Sequence, residues 1–179
     1  TGTYTYDGEA HTVTGYDAEA DSKLYDEATM IEFNGTSEAT RTEVGKTDMG
    51  LAEDQFKNTN ANFEVEFTVT DGYVQINPID KVTVTITGHT GTYTYDGEAH
   101  TVKGYDVAIS NPLYKEADFT FSGTSEATRT EVGTQNMGLA VSQFENTSEA
   151  FSEVEFVVND GWVKIEPAKV NVTITGHTG

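Results

Sequence analysis

The chain has 179 residues, no cysteine, and a formal charge of -20 from 10 basic and 30 acidic residues. That charge repels nucleic acid and anionic lipid, and the lack of cysteine excludes a disulfide framework and a thiolate-held metal. Hydrophobic residues make up 36%, enough for a packed core, and no apolar run nears the ~20 residues of a membrane span.

The elements follow in chain order. "TYTY" at Thr3 alternates at period two and runs into Asp7-Gly8, a turn signal. "AHTVTGY" at Ala10 then reads as a returning strand, so the two segments are expected to form a hairpin. "EATMIEF" at Glu27 reads as a further strand closed by Gly35. "EATRTEVG" at Glu38 is a polar, hydroxyl-rich strand suited to a sheet edge. "MGLAEDQF" at Met49 places Leu51, Gln55 and Phe56 on helical spacing and predicts one short helical turn. "VEFTV", Asp71-Gly72 and "YVQI" read as a second hairpin, whose Asp-Gly suits a type I′ turn. Val82 to Thr87, "VTVTIT", is a half-buried strand by its strict alternation.

The same elements then recur. Thr1 to Val13 returns letter for letter at Thr90 to Val102, Gly35 to Gly45 at Gly123 to Gly133, and Val84 to Gly91 at Val172 to Gly179. "DGYVQINP" at Asp71 becomes "DGWVKIEP" at Asp160. The offset is 88 or 89, with single-residue slips near Glu32, Glu64 and Ile79 that mark loops or bulges. Such a period exceeds the roughly 20–50 residues of a solenoid unit and suits an independently folding small domain.

The fold expected is therefore mainly β: two tandem small antiparallel β domains, Ig-like sandwich or β-grasp-like, end to end, each with at most one short helix. The domains are 1–89 and 90–179. The phase has an alternative, in which strand 82–87 opens the second repeat and 170–175 opens a third. That alternative leaves the first repeat one strand short and the second with a spare one, available to a neighbouring chain. The junction "INPIDKVTVTITG" has no Gly/Ser run and predicts a stiff joint.

A shared active site must occur in both repeats, and few polar candidates do. His11 matches His100, and His89 matches His177. Hydrogen bonding on a β surface is the expected role, since His89 and His100 lack an obvious third metal ligand. Arg41 and Arg129 match, each among glutamates (Glu38 and Glu43, Glu126 and Glu131), which predicts a structural ion pair. Asp17, Glu19 and Asp21 alternate like the start of a calcium loop. However, Ser22 and Ala28 stand where the loop's glycine and closing glutamate belong, and the second repeat reads "DVAISN". Lys81 and Lys169 match at the domain edges, and Gln55 matches Gln143, but neither a Lys–Asn nor a Thr–Gln cross-link is expected. Tyr73 matches Trp162, and Tyr16 matches Tyr105. These aromatics are expected in the packing, and outward-facing ones would favour a binding role. The sequence nominates no catalytic, cofactor-binding or metal-binding residue, no cofactor and no enzymatic activity.

Taken together, "VTVTITG", "TYTYDGEAHTVTGY", "VGKTDMGL" and "NFEVEFTVTDGYVQINP" resemble the MBG and YDG-type repeats of bacterial cell-surface proteins. The resemblance covers nearly the whole chain and departs at Ala150-Phe151, where the first repeat has Asn62-Phe63. It implies stalk repeats of a cell-wall-anchored adhesin of a Gram-positive bacterium, similar in role to mucin-binding-protein, Rib and SHIRT repeats. It places the "VTVTIT" strand at the start of a domain. The expected partners are adjacent copies of the repeat in an extracellular parent chain, with no nucleic acid and no membrane insertion, and the chain is expected to be monomeric in solution. The alternative is a weak multivalent module for a host glycan or protein, with repetition supplying avidity.

Overall fold

A computed structural model describes residues 1–177. The fold is mainly β, as the hydroxyl-rich alternation requires. The chain divides into two compact units. One is Thr1–Asp80 with Glu149–Ser152, and the other runs from Lys81 to Ser148 and continues from Glu153.

The first unit contains β1 (Gly2–Thr5), β2 (His11–Thr14), β3 (Ile31–Phe33), β4 (Glu38–Arg41), β5 (Gly45–Asp48), β6 (Phe56–Asn58) and β7 (Tyr73–Asn77). Its centre is β7, which pairs in parallel with β1 and antiparallel with β5. Its alternation turns Val74 and Ile76 inward with no exposed surface, while Tyr73 and Gln75 between them stay half-buried. β2 pairs with β4, and β3 with β6, both antiparallel. Ala39, Met49, Val74 and Ile76 form the core, with Tyr4, Val13 and Leu51 packed against it.

The second unit contains β8 (Ile79–Gly88) from Lys81 onward, β9 (Thr90–Thr94), β10 (His100–Lys103), β11 (Tyr105–Ile109), β12 (Phe119–Phe121), β13 (Glu126–Arg129), β14 (Gly133–Asn136), β15 (Phe144–Asn146), β16 (Phe151–Asn159) from Glu153 onward and β17 (Trp162–Glu166). It repeats the three sheets of the first: β17 between β9 and β14, β10 with β13, and β12 with β15. It also has a fourth sheet, β11–β8–β16. The strand carrying "VTVTIT" is therefore the middle strand of a sheet whose neighbours both come from the second repeat.

Several sequence expectations are corrected. The sheets are mixed rather than purely antiparallel, because β1–β7 and β9–β17 run parallel. "TYTY" and "AHTV" do not form a hairpin: β1 and β2 go to different sheets. Asp7 instead turns the chain by accepting the Glu9 backbone N–H at 2.9 Å, with Gly8 at φ 84°. The Asp-Gly pairs at 71 and 160 are not type I′ hairpins either. Gly72 and Gly161 are not at positive φ, and β16 and β17 lie in separate sheets. Here glycine serves close packing, since a Cβ at Gly72 would fall 2.6 Å from the Met49 sulfur. The expected strand at Glu27 begins as a helical turn, Glu27–Met30, because the Asp26 side chain caps it by accepting the Ala28 N–H. Its counterpart at Glu116–Asp118 is a 3-10 turn, as is the helical turn after Met49, at Glu53–Gln55. β4 is a strand of a two-stranded sheet as its polar face suggests, but Ala39 and its counterpart Ala127 are buried at 4% exposure.

Candidate functional site: a strand slot filled in one unit and open in the other

The two repeats differ most where β8 lies. In the second unit β8 sits between β11 and β16. Its alternation puts Val82, Val84 and Ile86 at zero exposure while the threonines between them face outward. β11 holds it antiparallel, with Val107 opposite Ile86 and Ile109 opposite Val84. On the β16 side, Lys81 Nζ bridges Glu153 at 3.3 Å and Glu155 at 2.9 Å. Those contacts raise the Lys81 pKa, Glu155 contributing most, and Lys81 lowers that of Glu155. At the far end His89 Nδ1 lies 2.7 Å from the Lys103 carbonyl and Nε2 lies 3.2 Å from Asp106. The Asp106 carboxylate first, and the carbonyl second, hold the His89 pKa above its usual value, because both bonds favour the imidazolium. Gly88 passes close against the Gly161 backbone, a contact that leaves no room for a Cβ.

The first unit has the walls of the same slot and nothing described between them. Residues 16–20 match β11 and residues 63–70 match β16, but neither segment is a strand. Between them lies a cleft of about 650 Å³, with Ile31, Leu51 and Phe56 among its lining residues. The alternation of 63–70 survives: Phe63, Val65, Phe67 and Val69 are half-buried and the residues between them are exposed. The core beneath is less closed. Phe119, Phe144 and Phe151 are buried at 8%, 6% and 5% exposure, whereas their counterparts Ile31, Phe56 and Phe63 are only half-buried. Tyr16, the counterpart of half-buried Tyr105, is 39% exposed.

The chain matches no family model, no curated protein and no solved structure. Comparison of its two repeats therefore carries the functional reading.

The remaining candidate residues hold the fold, and they do so in the same way in both units. His11 stacks on Tyr4 with ring centroids 4.1 Å apart and meets Asp7 at 3.0 Å. His100 repeats this with Tyr93 at 4.3 Å and Asp96 at 3.1 Å. The carboxyls of Asp7 and Asp96 are held below their usual pKa, chiefly by the backbone N–H groups of Glu9 and Glu98 and then by the histidines. His89 and His100 thus have separate carboxylate partners, and among the described residues no three His, Asp or Glu side chains gather as a metal site. His177 lies in the segment after β17, which has no strand pairing.

The expected arginine ion pair is not what forms. Arg41 donates to the carbonyls of Glu43, Val44 and Lys46, and so fastens the β4–β5 loop through backbone rather than carboxylates. Arg129 likewise donates to the Val132 carbonyl. Asp17, Glu19 and Asp21 line the open slot of the first unit. The Gln55 side chain accepts from the Ala52 N–H and donates to the Gly50 carbonyl, while Gln143 accepts from Ala140. Tyr73 lies under the Lys46 ammonium, 4.6 Å from its ring centre, and Trp162 donates its backbone N–H to the His89 carbonyl.

Sequence reasoning did not single out Asp71 and Asp160 as anchors, or Tyr25 and Tyr114 as buried pins. Asp71 accepts the Gly50 and Leu51 N–H groups, each at 2.9 Å. The Tyr114 hydroxyl reaches the Asp118 carbonyl at 3.0 Å and Asn146 Oδ1 at 2.9 Å, and burial pushes its pKa up to about 12. The available signal was that each of these residues recurs at the same place in both repeats. No helix among the described residues is long and apolar enough to cross a membrane.

Proposed function

We propose that this chain is a pair of spacer repeats from the stalk of a bacterial cell-wall-anchored surface adhesin, and that it acts by holding a binding domain away from the cell. One observation carries the reading. Polar residues that the two repeats share, among them the Tyr4–His11–Asp7 group and its Tyr93–His100–Asp96 copy, and Asp71 with Asp160, are engaged in holding their own unit together. A spacer needs a reproducible fold and little else, so its copies can stay alike while their number varies. The resemblance to MBG and YDG-type repeats points the same way and supplies the extracellular setting. Within the mainly-β architecture, an Ig-like sandwich is a better reading than a β-grasp. A β-grasp needs a helix long enough to cross its sheet, and Glu27–Met30 has four residues.

Small-angle X-ray scattering on a dilute, monodisperse sample tests the spacer function. A spacer gives an extended distance distribution with a reproducible maximum dimension. A compact or widely variable particle sinks the reading and favours the multivalent binding module instead.

A further inference from the structure

The turn after β3 holds Asn34-Gly35, and Asn34 is the chain's one asparagine followed by glycine. Packing favours glycine there. A Cβ at Gly35 would fall 2.9 Å from the Gln55 side chain and 2.9 Å from the Phe33 ring. Gln55 cannot easily yield, because its side chain is tied to the Ala52 N–H and the Gly50 carbonyl. The Asn34 backbone N–H donates to the Gln55 carbonyl at 2.8 Å and closes the end of the β3–β6 pair. Beyond that bond the turn is open. Asn34, Gly35 and Thr36 are exposed. Among the described residues, neither the Asn34 side-chain amide nor the Gly35 N–H has a hydrogen-bond partner. By contrast, the amide of Asn58 donates to the Asn60 and Phe63 carbonyls, and that of Asn146 to the Ser148 carbonyl.

The second unit builds the same turn without the reactive pair. Ser122 stands in place of Asn34, its N–H donates to the Gln143 carbonyl at 2.8 Å, and Gly123 is packed by Gln143 and Phe121. Ser122, Gly123 and Thr124 are exposed as well. The openness therefore belongs to the turn itself and does not depend on whether β8 has a counterpart in the unit. We propose that Asn34 is a site of covalent self-modification, in which the turn converts it to aspartate and isoaspartate with water as the one co-reactant. The Gly35 backbone nitrogen attacks Asn34 Cγ, and glycine leaves that nitrogen unshielded by any side chain. A Cγ–N bond to Gly35 forms and the Cγ–Nδ2 bond breaks. The Gly35 proton passes through solvent to the departing nitrogen, which leaves as ammonia. Water then opens the resulting cyclic imide. Cleavage at Cγ gives aspartate, and cleavage at the Asn34 carbonyl carbon gives isoaspartate.

The two products differ in what they do to the fold. Both add a negative charge to the first unit alone. Isoaspartate also lengthens the main chain by one methylene, between an N–H fixed to the Gln55 carbonyl and a glycine held against the Gln55 side chain. That extra length loosens the end of the β3–β6 pair, where Phe33 lies opposite Phe56. The inference is independent of the spacer reading, since it needs only the turn and water.

Ageing the folded full chain in warm, mildly alkaline buffer, followed by tryptic peptide mass spectrometry, tests the proposal. The Leu24–Arg41 peptide holds Asn34 as its one asparagine. It should split into the parent and two products heavier by about 1 Da, which electron-transfer fragmentation assigns as aspartate and isoaspartate. The Glu116–Arg129 peptide, which carries Ser122, should stay whole. The rate should rise several-fold from about pH 6 to about pH 8, because the attacking nitrogen must give up its proton. Asn34→Ser copies the second unit and should abolish both products without lowering the melting temperature. Asn34→Asp supplies the charge without the methylene. Amide exchange in Ile31–Phe33 and Phe56–Asn58 should be several-fold faster in the isoaspartate fraction than in that variant. A synthetic EFNGT peptide in the same buffer sets the pace of the unfolded sequence. An Asn34 that stays intact in the folded chain after the peptide has converted overturns the proposal. Equal conversion at the chain's other asparagines overturns it too, since the turn then selects nothing. Exchange identical to that of Asn34→Asp overturns the loosening of β3 and β6.

Discussion

The Asp71 carboxylate accepts the Leu51 backbone N–H at 2.9 Å and so ties the turn before β7 to the loop after Met49. A second bond at the same distance, from Gly50, uses the other carboxylate oxygen. Asp160 makes the same pair of bonds to Gly138 and Leu139 at 3.1 and 2.9 Å. One carboxylate per unit thus replaces the hairpin that Asp-Gly suggests.

The Leu51 N–H above all, and those of Gly50 and Gly72, lower the Asp71 pKa below its usual value of 3.8. The linkage follows directly. A depressed carboxyl pKa stabilises the fold above the unfolded value, and that stabilisation is lost as pH falls through the folded one. Thermal scans from neutral pH downward should show the contribution intact above about pH 4 and fading below it. Asp71→Ala should lower the melting temperature by a few degrees at neutral pH and flatten this acid limb. An unchanged acid limb would remove Asp71 from the account.

His89 behaves with the opposite sign. Its pKa is raised above 6.5, by Asp106 first and the Lys103 carbonyl second. Its contribution is therefore fully present below about pH 6.5 and is lost as pH rises through the folded pKa. An NMR titration should place His89 above an unfolded reference histidine. His89→Gln should remove the loss of stability on the alkaline side of neutrality, and a His89 titrating below the reference contradicts the pairing.

Two glycines at equivalent places should respond differently. Gly161→Ala drives a Cβ toward the His89 carbonyl and the Gly88 carbonyl carbon, both backbone, and should destabilise the second unit by about 1–3 kcal/mol. The atoms nearest a Cβ at Gly72 belong to the flexible Met49 side chain, so Gly72→Ala should cost less. Chemical denaturation of the two variants, read by Trp162 fluorescence and far-UV circular dichroism, separates them. Equal costs would mean that the β8 backbone is not what confines Gly161.

The two copies of the slot-filling strand give the sharpest contrast. Ile86 has no exposed surface and Ile174 is 90% exposed. Ile86→Ala should cost about 2–5 kcal/mol, whereas Ile174→Ala in dilute monomer should stay within about 0.5 kcal/mol. Urea midpoints of the two variants decide it, and a large loss from Ile174→Ala at low concentration would place that residue in a core of its own chain.

Much of the local structure was legible in the letters. Val82 to Thr87 alternates strictly, and a strand with three buried side chains is the outcome. The duplication told which residues must play the same part twice, and Asp7 with Asp96, and Asp71 with Asp160, do. Less legible was what each turn joins. Asp-Gly signals a reversal through local chain energetics, which contain nothing about where the following strand finds its partner.

What the sequence by itself determined is the inward face of each strand that forms and the repetition of the whole, because alternation and side-chain volume act within a few residues. Only the tertiary structure decided the pairing: β1 beside β7 in parallel, seventy-odd residues apart in sequence, and β8 between β11 and β16. It also decided that Val84 and Val172, set in identical "VTITGH" segments, have opposite environments. A strand's burial depends on whether two other edges are within reach of its hydrogen bonds, and that is a property of the assembled sheet rather than of the strand.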